Sequence, residues 1–331
     1  MTAATPLLEL DRVGINLRTG GGIVSATRDV SFKVGAAERI GIVGESGCGK
    51  TLTGLAIMQL LPRGLARIDG AIRFEGRDLL KLSGRELRRV RGAGIAMIFQ
   101  EPMSALDPVF TIGEQIVETI LAHEAVSRRE AKERAVDLLA RVGIPLPARR
   151  AGEYPHQLSG GMRQRAMIAI ALACNPKLLI ADEPTTALDV TIQAQIIDLL
   201  VDLSETTGTA LLFITHDLGV VAETCTRMVT MYAGEVVEDA AVDDALVRPR
   251  HPYTAGLFSA LPRLVERGAP LPSIPGRVPP LMAMPEGCRF RPRCPHAEEA
   301  CTTAQAMREP EPGHRARCRR TGELQLEGTV G

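Results

Sequence analysis

The chain has 331 residues, enough for one large domain with an appendage or for two modest domains. Lysine plus arginine and aspartate plus glutamate both number 39, so the zero net charge argues against general attraction to nucleic acid or to anionic lipid. The longest uninterrupted apolar run, 166–174, has nine residues against the roughly 20 of a membrane span, and the N-terminus has no signal-peptide pattern. We therefore expect a globular cytoplasmic protein that reaches a membrane only through a partner.

The first segment, 7–34, mixes apolar and polar residues around a glycine-rich turn at 19–22, which predicts a small antiparallel β region. Several short, continuous apolar runs follow it. A strand covered by helices on both faces is apolar along its whole length, so these runs predict a buried and largely parallel sheet. The runs are 39–43, 95–99, 178–181, 210–214 and 228–232.

Between residues 100 and 158 helical periodicity replaces the strand pattern. Ile112, Ile116 and Ile120 recur every four residues, and Ser127 and Glu130 have the spacing of a capping box before the stretch 135–142. This pattern predicts a helical subdomain, about 101–165, inserted into an α/β core.

The composition changes after about residue 250, where proline, arginine and cysteine become frequent. We expect a core domain over 1–250 and a C-terminal extension over 251–331.

Residues 44–51 match G-x-x-x-x-G-K-[ST] between a predicted strand and the helical-looking stretch 52–58. Glycines let backbone N–H groups turn around a phosphate, and the helix N-terminus adds positive potential, whereas a plain glycine-rich turn is the alternative. We expect Lys50 to reach the β- and γ-phosphates of ATP and Thr51 to ligate Mg²⁺. The predicted ATP-binding residues are Gly44, Glu45, Ser46, Gly47, Cys48, Gly49, Lys50, Thr51 and Leu52.

Two carboxylates, Asp182 and Glu183, end the apolar run 178–181. Asp182 is placed to ligate Mg²⁺, and Glu183 to act as the general base that polarises the attacking water. An acidic turn after a strand is the alternative, and the phosphate-binding loop elsewhere in the chain disfavours it.

The segment Leu158-Ser-Gly-Gly-Met162 resembles the signature of the ABC transporter ATPase family, with Met162 where the family usually has glutamine. Further family motifs follow the family order: Gln100 at the Q-loop, 187–189 as the D-loop and His216 as the switch histidine. The resemblance covers roughly 7–245. It implies a P-loop NTPase (RecA-like) core, an additional Mg²⁺ contact from Gln100, and catalytic roles for Gln100 and His216 beside Glu183.

The same resemblance implies that two ATPase subunits sandwich the nucleotides. Ser159, Gly160 and Gly161 would then contact the ATP bound to the partner subunit. The family often stacks adenine on an aromatic residue near the start of the chain. This sequence has only Leu17 there, so no adenine-stacking residue is predicted.

Three features resemble one branch of the family, the dipeptide/oligopeptide importers. They are the Q-loop segment 100–108, the tetrapeptide 251–254 and the cysteine-rich tail, while Met162 resembles the D-type subunit. The resemblance implies a second, F-type ATPase, two permease subunits and a periplasmic binding protein, at the cytoplasmic face of a bacterial inner membrane. Import of nickel, glutathione or opine-like solutes is the alternative, and a soluble ABC protein acting on DNA or the ribosome is a more distant one.

Four cysteines cluster near the C-terminus. In the resembled importers this segment is associated with an iron–sulfur cluster, and four thiolates suit either a [4Fe–4S] cluster or zinc. His296 and His314 leave a mixed zinc site open, and free thiols in a tail are the third possibility. The four residues are Cys288, Cys294, Cys301 and Cys318.

Overall fold

The computed structural model describes residues 5–62, 64–186, 188–260 and 273–329. The chain divides into two compact units that interrupt each other in sequence. The first takes in Met1–Val34, Arg39–Leu80 and Ile214–Gly331, and the second takes in Gly35–Glu38 and Lys81–Phe213.

Strands dominate the first unit and helices dominate the second. The strands are β1 Leu8–Thr19, β2 Gly22–Val34, β3 Arg39–Val43, β4 Ala66–Phe74, β5 Arg77–Asp78, β6 Ile95–Ile98, β7 Leu178–Asp182, β8 Ala210–Ile214, β9 Arg227–Tyr232, β10 Glu235–Ala241, β11 Arg308–Glu311 and β12 His314–Ala316. The helices are α1 Lys50–Ile57, α2 Gly84–Val90, α3 Pro102–Ala105, α4 Ile112–His123, α5 Arg128–Arg141, α6 Pro147–Arg150, α7 Gly160–Leu172, α8 Val190–Thr207, α9 Leu218–Thr224, α10 Val242–Val247 and α11 Pro252–Ser259.

The first unit begins with the antiparallel β region that the sequence predicts. Its four strands lie in the order β2-β1-β4-β5, and every adjacent pair is antiparallel. The glycine-rich stretch 19–22 joins β1 to β2 through the pair Thr19–Gly22. Strand β4 is not among the predicted strands, because its exposed and half-buried residues give no continuous apolar run.

A second sheet of the first unit carries the strand that precedes the phosphate-binding loop. Its strands lie in the order β11-β12-β10-β9-β3. The pair β3–β9 is parallel, as predicted, whereas β10 and β12 are antiparallel additions. The described part of the C-terminal extension therefore contributes two strands to this sheet.

Strand β10 is buried although it contains three carboxylates, and its partners explain how. Asp239 is 1% exposed and receives two hydrogen bonds from Arg227, of 2.7 and 2.8 Å. Glu238, also 1% exposed, receives the His251 amide at 2.9 Å and lies 2.8 Å from Nε2 of His314 in β12. A buried carboxylate needs such partners to offset its lost hydration.

The second unit packs helices around the strands β8, β7 and β6, which are adjacent in that order. The pair β6–β7 is parallel and buried along its length, as predicted. Helix α4 presents Ile112, Ile116 and Ile120 to the interior, which confirms the four-residue periodicity. Ser127 caps α5 by accepting a hydrogen bond from the Glu130 amide at 3.2 Å. Within the described residues, no helix is long and apolar enough to cross a membrane.

Candidate nucleotide-binding site

The phosphate-binding loop follows β3 and leads directly into α1, as the sequence predicts. Three of its glycines, Gly44, Gly47 and Gly49, have φ angles of 152°, 78° and 100°, which side chains rarely allow. A Cβ on Gly44 would lie 2.1 Å from the Met231 carbonyl oxygen, so this position also excludes a side chain by contact. Ser46 and Gly47 are exposed at the tip of the loop.

Lys50 folds back over the loop. Its side chain is nearly buried, and Nζ donates to the carbonyl oxygens of Gly44 at 2.7 Å and Glu45 at 3.1 Å. Cys48 is buried beside it, and burial raises the pKa of the Cys48 thiol. Thr51 lies in the first turn of α1 and is exposed, while Leu52 is half-buried. The N-terminus of α1 thus has one cation and a set of backbone amides at its entrance, which suits a phosphate.

The predicted switch histidine is also in the first unit. Strand β8 ends in buried residues, and His216 follows as the first exposed side chain. Asp217 then caps α9 by accepting a hydrogen bond from the Gly219 amide at 2.8 Å.

In the second unit, the structure brings Gln100 and Glu183 into contact. Gln100 Nε2 donates to Glu183 Oε2 at 3.1 Å, and the Thr186 hydroxyl donates to the same oxygen at 2.8 Å. Glu183 has a φ of 45°, a conformation that a non-glycine residue adopts at some energetic cost. Such strain is typical of functional positions. The neighbouring Asp182 is 2% exposed at the end of β7.

The signature segment opens α7. Ser159 caps this helix by accepting a hydrogen bond from the Met162 amide at 3.3 Å. Ser159 and Gly160 are exposed, and a Cβ on Gly160 would meet no atom within 4 Å. The segment therefore presents an open, sterically unhindered helix start. Asp189 caps α8 in the same way, while Ala187 of the predicted D-loop lies outside the described residues.

Magnesium is expected with ATP in this fold, and the donors fit it chemically. Thr51, Gln100 and Asp182 offer a hydroxyl, an amide oxygen and a carboxylate, the hard oxygen ligands that Mg²⁺ prefers.

Two residues that the sequence did not assign to the site contact the phosphate-binding loop. The Glu45 amide donates to the Tyr253 hydroxyl oxygen at 2.8 Å, and the Glu45 carboxylate receives two hydrogen bonds from Arg293, of 2.7 and 3.0 Å. Tyr253 belongs to the tetrapeptide 251–254, which resembles a feature of the peptide importers but for which the sequence predicted no chemical role. These contacts link residues far apart in the chain, and no local pattern predicts them.

Two of the four clustered cysteines are joined through the backbone, because the Cys288 amide donates to the Cys301 carbonyl at 3.0 Å. Burial, with the neighbouring Cys294 and Cys301 adding to it, raises the pKa of the Cys288 thiol to about 11. Burial likewise raises the pKa of the Cys294 thiol, and Cys318 and Cys301 add to that rise. Within the described residues, no group of three or more His, Cys, Asp or Glu side chains is arranged to hold a metal ion.

A glycine-rich loop between a parallel strand and a helix, closed by a buried lysine, defines a P-loop nucleotide-binding protein. Comparisons with known proteins narrow this class. Residues 27–186 match the family described as ABC transporter, and residues 237–301 match the one described as oligopeptide/dipeptide transporter, C-terminal region.

Relatives match this chain over nearly their whole length. A Sinorhizobium fredii protein, whose name includes "peptide ABC transporter ATP-binding protein", is 55% identical over 305 residues, covering 91% of each chain. A Brucella melitensis protein, whose name includes "peptide import ATP-binding protein", is 51% identical over 332 residues, covering 96% of this chain and 98% of its own. A solved dimeric ATP-binding cassette, bound to ADP and Pi after hydrolysis, has a TM-score of 0.63 and 30% identity, covering 71% of this chain and 98% of its own.

These similarities place the chain in the family of ABC transporter ATP-binding proteins, with the C-terminal region of the oligopeptide/dipeptide transporters.

Proposed function

We propose that this chain is the ATP-hydrolysing subunit of an ABC transporter that imports di- and oligopeptides. The observation that carries the proposal is the pairing of an ABC ATPase region with the oligopeptide/dipeptide transporter region on one chain. The relatives' names favour peptides over nickel, glutathione or opine-like solutes.

In this proposal, residues 44–52 bind the phosphates of ATP. Lys50 neutralises the charge of the β- and γ-phosphates, because its ammonium group is held at the loop by two carbonyl oxygens. Thr51, Asp182 and Gln100 would hold Mg²⁺, which offsets phosphate charge when bound.

Glu183 acts as the general base for the attacking water. Its carboxylate is held by hydrogen bonds from Gln100 and Thr186, so its orientation is fixed before the substrate arrives. The strained backbone at this residue supports a functional role. His216, exposed after β8, is proposed to hydrogen-bond the terminal phosphate.

A second ATPase subunit completes the proposal. Ser159, Gly160 and Gly161 at this helix start would contact the nucleotide of that partner, since Ser159 offers a hydroxyl and Gly160 an open backbone to an anion. The partner is an F-type subunit, as Met162 in the signature suggests.

Permease subunits are the partners that bring the chain to the membrane. Three apolar side chains in the Q-loop segment or directly after it are exposed in the second unit: Met103 by 55%, Val109 by 70% and Phe110 by 46%. Apolar exposure on this scale is typical of a surface that binds a partner. We propose that a permease docks here, as one of the two permease subunits that lie above the pair of ATPases. A periplasmic binding protein delivers the peptide to the two permeases, and the chain lies at the cytoplasmic face of the inner membrane.

For the cysteines, we propose that Cys288, Cys294, Cys301 and Cys318 converge as thiolates around a [4Fe–4S] cluster, with zinc as the alternative metal. The Cys288 amide donates to the Cys301 carbonyl at 3.0 Å, which holds two of the four residues close together and supports this. Burial raises the pKa of the Cys288, Cys294 and Cys318 thiols, so metal binding would have to release their protons. Protein purified without oxygen should contain iron and sulfide, and Cys294→Ser should lose both while Cys225→Ser keeps them. Colourless, metal-free wild-type protein would contradict the proposal.

The ATPase is tested with the purified chain and its partner subunit. Glu183→Gln should bind ATP as wild type does but hydrolyse it about 10²- to 10⁴-fold more slowly, because it lacks the base. Glu118→Gln, an exposed change on α4, is the matched control and should keep wild-type turnover. If Glu183→Gln hydrolysed ATP within a few-fold of wild type, the assigned base would be wrong.

A further inference from the structure

We propose that Arg293 and Tyr253, both in the C-terminal extension, are positioning residues for the phosphate-binding loop and that they act through Glu45. This inference rests on the proposed function, since it takes the loop to bind the phosphates of ATP. It gives the extension an indirect part in nucleotide binding, through Glu45.

Arg293 forms a two-pronged ion pair with Glu45. Nη1 donates to Oε2 at 2.7 Å and Nη2 donates to Oε1 at 3.0 Å. The Arg293 side chain is 5% exposed and that of Glu45 is 30% exposed, so solvent screens the pair only in part. The Glu45 carboxylate raises the pKa of Arg293, which stays charged. A bidentate pair fixes orientation as well as distance.

The rest of the guanidinium is anchored within the extension. Nε donates to the Pro275 carbonyl at 2.9 Å, and Nη2 donates to the Ile274 carbonyl at 3.2 Å. The guanidinium also lies 5.7 Å from the centre of the Tyr232 ring, within the range of a cation–π contact. Arg293 therefore has little freedom of its own and can hold Glu45 in one place.

Tyr253 holds the backbone of the same loop residue. Its hydroxyl oxygen accepts the Glu45 amide at 2.8 Å. The ring is fully buried, with centroid distances of 4.6 Å to Tyr232 and 5.4 Å to Phe290. His251 accepts the Tyr253 amide at 3.1 Å and so fixes the start of α11. The hydroxyl is thus presented from a rigid aromatic cluster.

Glu45 is the residue through which these contacts reach the ATP-binding lysine. Its amide is held by Tyr253, its carboxylate by Arg293, and its carbonyl accepts Lys50 Nζ at 3.1 Å. A displacement of Glu45 moves one of the two carbonyls that orient the Lys50 ammonium group. Lys50 is the residue expected to bind the β- and γ-phosphates. Loss of the contacts that Arg293 and Tyr253 make with Glu45 should therefore weaken ATP binding as well as folding.

The chain offers a matched set of variants. Arg293→Ala removes the fork, Arg293→Lys keeps the charge without it, and Tyr253→Phe removes one oxygen. Arg291→Ala is the control, because Arg291 lies in the same short helical turn with its side chain exposed. Glu45→Gln, alone and with Arg293→Ala, completes a double-mutant cycle.

The experiment measures ATP affinity of the full chain with magnesium, KM and kcat with the partner subunit, and the thermal midpoint without nucleotide. We expect Arg293→Ala to raise the ATP dissociation constant and KM about tenfold, with a smaller change in kcat. A tenfold loss of affinity corresponds to about one hydrogen bond of ordinary strength. Arg293→Lys should recover part of that loss, and Tyr253→Phe should give a few-fold loss. Arg291→Ala should match wild type. In the double-mutant cycle, Arg293→Ala should raise the ATP dissociation constant little further when Glu45→Gln is already present.

The outcomes distinguish a failure of this inference from a failure of the proposed function on which it rests. Wild-type protein that does not bind ATP would overturn the proposed function and the inference with it. Wild-type protein that binds ATP while all variants bind it equally well would overturn the inference alone, even if their thermal midpoints fall. An equal loss in Arg291→Ala, or additive effects in the cycle, would also overturn it. If Arg293→Ala does not fold, Arg293→Lys and Tyr253→Phe decide.

Discussion

His251 makes the stability of the first unit sensitive to acid. The residue is 1% exposed, and burial, reinforced by the positive charge of Arg317, lowers its pKa from 6.5 to about 3. Below pH 6.5 the His251 imidazole binds a proton in the unfolded chain but stays neutral in the folded chain. The contribution of His251 to the free energy of unfolding is therefore fully present above pH 6.5 and is lost as the pH falls toward 3.

The magnitude follows from one proton. Each pH unit in that window costs about 1.4 kcal/mol of unfolding free energy, so the loss reaches about 2 kcal/mol at pH 5. His251→Asn removes the titration but keeps an acceptor for the Tyr253 amide, which Nδ1 of His251 binds at 3.1 Å. At pH 7 the variant should be as stable as wild type or slightly less so.

The assay is urea unfolding at pH 7, 6 and 5, followed by circular dichroism because the chain has no tryptophan. Wild type should lose about 2 kcal/mol more than His251→Asn between pH 7 and pH 5, since the groups that both proteins share cancel in the comparison. Equal losses in the two proteins would refute a buried, neutral His251.

Two further predictions concern the loop and the thiols. Gly44→Ala should lower the thermal midpoint much more than Gly47→Ala, because a Cβ on Gly44 lies 2.1 Å from the Met231 carbonyl oxygen whereas one on Gly47 meets nothing within 4 Å; equal midpoints would contradict this. In metal-free protein, alkylation of Cys288 by iodoacetamide should be slow at pH 8 and rise about tenfold per pH unit up to pH 10, because its thiol pKa is about 11. Peptide mass spectrometry measures the rate, and a rate already level at pH 8 would contradict the buried thiol.

The strands of the parallel sheet could be predicted because their signal is local. Runs such as 95–99 and 178–181 are apolar throughout, and the structure finds β6 and β7 there. The phosphate-binding loop was equally accessible, since its glycine spacing reflects backbone angles that other residues rarely adopt.

The parts of the fold and of the site that could not be predicted depend on contacts between distant parts of the chain. Glu238 and Asp239 of strand β10 are buried. Their pairing with residues such as Arg227 and His314 offsets the free energy lost when the carboxylates leave water. No periodicity reveals such pairs, so β10 and its partner β12 were missed. The contact from Arg293 to Glu45 spans 248 positions and was missed for the same reason.

The central claim is that ATP hydrolysis by this chain drives peptide uptake. The most direct test reconstitutes the chain with its partner ATPase and permeases in vesicles and follows uptake of a labelled peptide supplied on its binding protein. Uptake should require ATP and should fall about 10²-fold or more in Glu183→Gln, in proportion to ATP turnover. Peptide uptake that continues at the wild-type rate in Glu183→Gln would contradict the claim.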